Sequence, residues 1–556
     1  DNPLFNVVIN YVNMGTEELE IENLTLTPWL PEVVDTKYNI HVTILEKDNV
    51  FDIDVEYSIE LFKEESMELF GKRFVNMVNY LVEHQDSLLS EISLVTPEEE
   101  NWLYNVINNT KSNAPIDKNV VHLFEESVRT YGDRIALNWE NEDYTYKELN
   151  SVVNQLAQLI ADKGIKYGDK VAILTERSPI QIISILAILK CGAVYLPIDY
   201  KFPDDRVNFM LGDSGAKLLL TYSHHVERIE QSIEYLLLDS KEAQLDKAKD
   251  TGIEFGGTPQ NLCGEDEAYI LYTSGSTGKP KGAIICHKSI IRTVLDTNYV
   301  SITPEDKVLQ MTNYTFDPSV FDIFGALLNG ATLVMVPHEA AFEMPMLAEI
   351  FESKGITVCE MVTSVFNMIV DYKVTALKNV RKMYIGGEEM SLKHTKKAFE
   401  ALGPGRVVNV YGPTEATVIA TYYPIEHFDP EWTSIPIGKP ISHTEVYVLD
   451  EEGRLLPPNM PGELCIGGCG VAKGYLNRKE LTESKFINLP FGNGERVYRT
   501  GDRVLMTAEG DLIFLGRTEL HNKVRGTRIV LAEVQQLTAP RNGLIDITDV
   551  ADKENR

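Results

Sequence analysis

Positive charge is in short supply in this 556-residue chain: 52 Lys and Arg stand against 83 Asp and Glu, a formal net charge of -31. A surface of that sign repels phosphate polyanions, which excludes a general nucleic-acid or anionic-membrane surface and leaves local basic patches as the sites for anions. Cysteine is sparse as well. The six cysteines (Cys191, Cys263, Cys286, Cys359, Cys465, Cys469) are scattered, which excludes a disulfide scaffold and suits a reducing, cytoplasmic setting. Cys465 and Cys469 lie in Cys-Ile-Gly-Gly-Cys with no second Cys/His pair nearby, so buried thiols are expected there rather than zinc. Long apolar runs are missing too: none reaches the roughly 18 to 20 residues of a membrane helix. A signal peptide is also lacking, and the opening Asp1-Asn2-Pro3-Leu4-Phe5 reads as the middle of a folded domain, so the start is expected to be a cut.

What is present is a 44% apolar composition, enough for about three or four packed units, with no internal repeats. Alternation predicts strands at Phe5 to Tyr11, Tyr38 to Leu45 and Phe51 to Ile59, followed by a helical period over Leu61 to Leu89. Polar, Pro-containing sequence from 96 to 118 reads as a linker. Beyond it, helices (Val152 to Lys163, Pro179 to Lys190) alternate with short apolar strands (Lys170 to Leu174, Ala193 to Pro197, Thr332 to Val336, Lys382 to Ile385). That rhythm predicts α/β layers around largely parallel sheets. After about Ile435 shorter strands and Gly/Pro turns (Val446 to Leu449, Gly462 to Ile466, Gly510 to Phe514) predict a smaller β-rich subdomain.

The densest chemistry is the run Tyr272-Thr273-Ser274-Gly275-Ser276-Thr277-Gly278-Lys279-Pro280-Lys281-Gly282. Glycines let backbone N–H groups converge on an anion, hydroxyls add donors and two lysines add charge, which together make a phosphate grip. It departs from the Walker pattern, because Lys279 is followed by Pro280 and no glycine stands five residues before Gly278. Two further turns end in carboxylates. Tyr411-Gly412-Pro413-Thr414-Glu415 follows an apolar strand, and its Glu415 reads equally as a Mg²⁺ ligand or as a helix-start glutamate. Tyr498-Arg499-Thr500-Gly501-Asp502 offers an acceptor for two ribose hydroxyls, or simply an Asp-capped turn.

Taken in order, these motifs resemble the adenylation domains of nonribosomal peptide synthetases, members of the adenylate-forming superfamily. The same succession includes Tyr144 to Leu149, Leu189 to Asp199, Asn313 to Asp317, Gly462 to Gly468 and Gly516-Arg517, across some four hundred residues. The resemblance implies an adenylate-forming core at 119–516 with two layered α/β subdomains and the smaller β-rich one. It implies that an amino acid carboxylate attacks the α-phosphorus of ATP with Mg²⁺ present, and that the acyl group then passes to phosphopantetheine on a separate peptidyl carrier domain. By the same match Thr273, Ser274, Gly275, Ser276, Thr277, Gly278 and Lys281 handle phosphate, Lys281, Thr414 and Glu415 are catalytic with Glu415 on the metal, Asp502 and Arg517 bind ribose, and Tyr411 lies along adenine.

The amino-acid pocket implied by the resemblance comprises Asp317, Pro318, Phe321, Glu360, Tyr384, Gly386, Val410, Val418 and Ile419. Asp317 would pair with the substrate α-ammonium. Glu360 stands out among mostly apolar walls: a buried carboxylate needs a partner, which a diamino acid's second ammonium, Tyr384 or a water would supply. Residues 1–95 resemble the closing α+β part of a condensation domain, through Asn2-Pro3-Leu4-Phe5. The His-His-x-x-x-Asp-Gly motif of that domain is absent, since the pair His224-His225 continues Val-Glu-Arg-Ile. The neighbouring condensation domain is an expected partner.

The pattern fails at 517–556, read as a hinge and an incomplete C-terminal subdomain: Glu519 stands at the usual hinge aspartate, and Leu544 at the usual lysine. A shortened chain, an interrupted domain or a degenerate one would each give this. Beside the amino-acid ligase stand two other readings, a catalytically impaired module that binds ATP and amino acid for docking, and an acyl-CoA ligase.

Overall fold

The computed structural model describes residues 5–12, 37–47, 50–88, 91–274 and 279–517, and the backbone of 522–524 and 527–529. The chain divides into two compact units, 1–102 with 454–459, and 103–453 with 460–556.

In the first unit the strands Val7–Val12, Ile40–Lys47 and Val50–Tyr57 form one sheet, the first pair parallel and the second antiparallel. The helix that follows is shorter than its apolar period, Glu64–Glu83, because the polar run His84-Gln85-Asp86-Ser87 gives it no further face to bury. Part of the expected linker is helical instead. Thr96 and Glu99 exchange hydrogen bonds (Glu99 N to Thr96 Oγ1, 3.2 Å; Thr96 N to Glu99 Oε2, 3.0 Å), a reciprocal cap that starts the helix Pro97–Trp102. Arg73 then pairs with Glu99 at 2.6 Å and donates to Pro458 O at 3.1 Å.

The second unit is built on three larger sheets. One seven-stranded sheet runs, in spatial order, Gly474–Tyr475, Lys281–Cys286, Glu267–Thr273, Val194–Asp199, Lys170–Thr175, Leu218–Thr221, Glu234–Leu237. A nine-stranded sheet runs Lys439–Pro440, Thr421–Pro424, Val407–Tyr411, Lys382–Gly386, Val358–Val362, Lys307–Gln310, Thr332–Met335, Ile135–Trp139, Glu142–Thr145. Both are parallel at the centre; the nine-stranded sheet is antiparallel at both edges, and the seven-stranded one at the Gly474–Tyr475 edge but parallel at the Glu234–Leu237 edge. The third sheet, five-stranded and antiparallel, carries Thr444–Leu449, Pro461–Gly468, Phe486–Asn488, Arg496–Met506 and Leu512–Arg517. This is the mixed α/β class expected, with its β-rich appendage.

Helix Tyr146–Asp162 begins on a Thr145/Glu148 capping box, and the almost wholly apolar helix Pro179–Lys190 is buried on nearly every side. Lys190 ends that helix 1% exposed, its ammonium donating to Glu125 Oε1, Asn150 Oδ1 and Asn154 Oδ1, each at 2.8 Å. Full pairing of that kind is what makes a buried charge tolerable. Cys465 is buried and Cys469 partly so, both as free thiols.

His287, fully buried at the start of helix His287–Val294, accepts a long hydrogen bond from Val120 N (3.4 Å), and its Nε2 has no partner. Burial pushes its imidazole down to about 4. Between the ordinary histidine value near 6.5 and that value, the unfolded chain holds a proton that the folded chain does not. Stability should therefore fall by roughly 3 kcal/mol as pH drops from about 6.5 to about 4. Urea midpoints measured across that window should slope less in His287→Gln than in the parent.

Candidate active site

The phosphate-grip run is the connection of a hairpin. Its flanking strands Glu267–Thr273 and Lys281–Cys286 are antiparallel with Thr273 opposite Lys281, so the loop's two ends are held together. Thr273 closes the first strand with a buried Oγ1 that has no hydrogen-bond partner. Ser274 is described, whereas Gly275, Ser276, Thr277 and Gly278 lie outside the described residues.

Lys281 turns inward. Its Nζ lies 2.7 Å from Glu415 Oε1 and donates to Tyr475 OH at 2.6 Å, while the Tyr475 hydroxyl also meets Glu415 Oε1 at 2.6 Å. Lys281 and Glu415 side chains are 8% and 4% exposed. Burial by itself would raise the Glu415 carboxyl, but the Lys281 ammonium and the hydrogen bonds from Lys281 and Tyr475 overcome it and hold the group down to about 2. The same environment, burial first and then the Glu415 charge, drives the Tyr475 phenol far above its usual range, so it stays protonated. Sequence reasoning does not reach Tyr475: nothing in Ala472-Lys473-Gly474-Tyr475 announces a polar contact, which arises because Gly474–Tyr475 pairs with Lys281–Cys286 at the sheet edge.

Glu415 sits on the 3₁₀ turn Thr414–Ala416 after strand Val407–Tyr411. The backbone beyond it is strained: Thr417 and Val418 hold φ of 59° and 64°, left-handed values that β-branched residues rarely adopt. Gly412 is required opposite them, since a Cβ there would lie 2.3 Å from Val418 O. Arg292, with no exposed surface, pins this loop from beneath. Its guanidinium donates to the carbonyls of Ala416, Thr417 (3.2 Å) and Ile419 (2.9 Å) and to Thr444 Oγ1 (2.8 Å). Burial pushes it down to about 10, so it remains a cation at neutral pH.

The ribose candidates meet across a strand pair, with Asp502 opposite Arg517. Arg517 Nε lies 2.6 Å from Asp502 Oδ1, and Tyr411 OH donates to Asp502 Oδ2 at 2.5 Å. Three predicted residues are thus one cluster. Burial, followed by the Asp502 carboxylate, raises the Tyr411 phenol well above its usual range.

The pocket candidates also converge. Glu360, Tyr384 and Val408 are register partners on three neighbouring parallel strands, which puts Gly386 and Val410 on the same sheet face. A Cβ on Gly386 would lie 2.6 Å from Val410 O. Helix Pro318–Leu327, begun by Asp317 at its N-cap and Pro318 after it, covers that face, with Phe321 and Tyr384 ring centroids 5.2 Å apart. Val418 and Ile419 reach the same core from the strained loop. Glu360 is 6% exposed and its Oε2 has no hydrogen-bond partner. Tyr384, the nearest candidate within the chain, instead gives its hydroxyl to Tyr299 O at 3.2 Å. Burial, then the carboxylates of Asp322 and Asp317, raises Glu360 well above the usual carboxylate range.

Mg²⁺ demands oxygen ligands and keeps several waters, so it is ordinarily held by one or two carboxylates and substrate phosphates. The one carboxylate here fits an ion carried mainly by phosphate oxygens, with Lys281 leaving Glu415 Oε2 as the oxygen on offer.

Replacing Arg292 with Lys keeps the charge but loses the planar fork, leaving carbonyls of the 416–419 loop without donors. Arg292→Lys should lower stability by about 2 to 4 kcal/mol, read from denaturant midpoints.

No helix among the described residues is long and apolar enough to cross a membrane. Residues 124–476 match the family model for AMP-binding enzymes, and residues 1–104 match that for the condensation domain. Surfactin synthase subunit 1 of Bacillus subtilis (strain 168) is 38% identical over 538 residues, 96% of this chain but 15% of that protein. Among solved structures, the nonribosomal peptide synthetase FmoA3 in its AMPPNP-bound form superposes with TM-score 0.78 at 27% identity, covering 92% of this chain and 55% of that one. The four-domain synthetase AB3403, bound to AMP and glycine, superposes with TM-score 0.75 at 28% identity, covering 91% and 37%. With its hairpin-held lysine, its Thr-Glu turn and its cross-strand Asp–Arg pair in the order already noted, the chain belongs to the AMP-binding enzyme family, as a nonribosomal peptide synthetase adenylation domain with condensation-domain sequence ahead of it.

Proposed function

We propose that this chain activates an α-amino acid with a cationic side chain. The amino acid carboxylate oxygen bonds to the α-phosphorus of ATP, the bond from that phosphorus to the pyrophosphate oxygen breaks, and aminoacyl-AMP and pyrophosphate result. Lys281 and Thr414 then stabilise charge on the phosphate oxygens, where fixed donors in a water-poor site act most strongly. Glu415 holds Mg²⁺, which when bound neutralises phosphate charge. Tyr475 keeps the Lys281 ammonium in place, Asp502 and Arg517 receive the ribose hydroxyls, and Tyr411 lines the adenine. Asp317 takes the substrate α-ammonium. The acyl group then passes to the phosphopantetheine thiol of a carrier domain, and onward to a condensation domain.

The observation that carries the cationic side chain is the unpartnered Glu360 Oε2 in a pocket where two other carboxylates already disfavour its charge. An ammonium would satisfy that oxygen and relieve the repulsion. A fatty or aryl acid would leave Glu360 Oε2 unpaired, which disfavours an acyl-CoA ligase. The relatives are far longer than this chain, so the carrier and condensation partners are read from their kind of assembly.

Amino-acid-dependent pyrophosphate exchange across a substrate panel tests the reading, with a diamino acid expected to lead. ATP binding without exchange for any amino acid would make the chain a docking module instead. An aryl or fatty acid preferred by a chain indifferent to Asp317→Ala would make it an acyl-CoA ligase.

Glu360→Gln should weaken a cationic substrate by about 1.5 to 3 kcal/mol, roughly 10- to 150-fold in KM. Because the Glu360 pKa is raised, the carboxyl is neutral at low pH and gains charge as pH rises. KM for the cationic substrate should therefore fall with rising pH in the parent and stay flat in Glu360→Gln. Equal slopes in both would remove Glu360 from the pocket.

A further inference from the structure

The pair His224-His225, which matches no motif of the catalytic apparatus, has a place of its own. Strands Lys170–Thr175 and Leu218–Thr221 run parallel, with Leu174 opposite Thr221, so the loops beyond them leave the same sheet edge side by side. The first loop opens with Glu176 and the second becomes the 3₁₀ helix Ser223–Arg228. Carboxyl ends of parallel strands are where open α/β sheets build ligand sites.

There His224 Nε2 lies 2.7 Å and His225 Nε2 3.0 Å from the same oxygen, Glu176 Oε1. One ligand atom from each of the three residues falls within 4.8 Å of the others, and no other group of three among the described residues does this. His225 is 5% exposed, and its Nε2 makes no hydrogen bond despite its nearness to that oxygen. Two imidazole nitrogens thus converge on one carboxylate, and the more buried of them lacks donor geometry.

The support is rigid. Ser223 gives its hydroxyl to Asp239 Oδ2 at 2.5 Å, and Arg228 Nε meets Asp204 Oδ1 at 2.7 Å. Tyr222 stacks on His224 with centroids 5.7 Å apart and planes at 9°.

We propose that Glu176, His224 and His225 form a site for a divalent first-row transition ion, Zn²⁺ in particular. Ligand atoms around tetrahedral zinc stand about 3.3 Å apart, given Zn–N and Zn–O lengths of about 2.0 to 2.2 Å, so the two contacts on Glu176 Oε1, at 2.7 and 3.0 Å, would open to admit the ion while the three ligand atoms stay within 4.8 Å of one another. Two imidazoles and a carboxylate favour it over Mg²⁺, which takes oxygen ligands. The exposed His224, 60% accessible, leaves a side open to water. The ion would also brace Arg177, next in sequence, whose guanidinium donates to the carbonyls of Met311 (2.9 Å) and Thr312 (3.1 Å) just before Asn313.

The test is Zn²⁺ titration of the metal-stripped chain against a colorimetric chelator, with excess Mg²⁺ present. The parent should bind one more equivalent than the double variant His224→Gln/His225→Gln, and Glu176→Gln should weaken that equivalent by roughly tenfold or more. His394→Gln, which alters a contact of a single histidine with Asp371 at 3.0 Å, should change nothing. Should the double variant fail to fold, the parent alone decides: Zn²⁺ should shield His224 from acylation by diethylpyrocarbonate, located by mass spectrometry. Equal stoichiometry in parent and folded double variant, or equal His224 acylation with and without Zn²⁺, overturns the proposal.

Discussion

The ion pair of Lys281 with Glu415, closed by the Tyr475 hydroxyl, is the contact on which the rest of the site depends. It joins three segments far apart in sequence: the base of the hairpin that carries the hydroxyl-rich loop, the turn after Val407–Tyr411, and the edge strand Gly474–Tyr475. Both charges are buried, and a buried pair seldom exceeds a hydrophobic substitute in stability. Its presence is better explained by position: it fixes where a cation and a carboxylate stand, at the base of the hairpin. The depressed Glu415 pKa states the same fact in protonic terms, since the paired carboxylate is held down to about 2.

That position is maintained by strain held elsewhere. Two β-branched residues in left-handed conformation follow Glu415, and such backbone persists only where its surroundings over-determine it. Arg292 supplies much of that determination. It donates to three carbonyls of the loop and packs so tightly that a Cβ on Gly470 would meet its Nη2 at 2.0 Å. Val418 and Ile419 lie in the pinned stretch, so one buried guanidinium sets both the charged turn and the part of the core these two residues fill.

Much of this was legible in the sequence, for identifiable reasons. Strands such as Lys170–Thr175 and helix Pro179–Lys190 are near-continuous apolar runs bounded by polar turns, and the pattern carries them. The Thr-Glu motif is visible because it follows an apolar strand, and it does form a turn, whereas Thr500-Gly501-Asp502, read as a turn, lies inside the strand Arg496–Met506, where Asp502 pairs with Arg517. Tyr475 and Arg292 were not legible. Their roles come from pairings at sequence separations of 194 and more than 120 residues, and neither side chain differs locally from an ordinary core tyrosine or helix arginine. The helix at Pro97–Trp102 shows the opposite error: its Thr-Pro-Glu-Glu start reads as polar linker by composition, although Thr96 and Glu99 at cap spacing encode a helix.

The pocket floor and the catalytic cluster answer one electrostatic problem in opposite ways. At Glu415 the carboxylate was given its cation within the chain, and it is ionised at all relevant pH. At Glu360 the chain supplies carboxylates as neighbours and spends Tyr384 on a backbone carbonyl, so burial and those neighbours raise its pKa well above the usual carboxylate range. A buried polar atom left unpaired costs about 1 to 3 kcal/mol, an expense selection removes readily by changing the residue to glutamine or leucine unless a ligand supplies the missing partner. Glu415 therefore needs nothing from outside to be charged, whereas Glu360 would gain a partner from the cationic substrate proposed above. Under the proposed function, that asymmetry would let one buried acid serve the chemistry common to every substrate and the other select the side chain that enters.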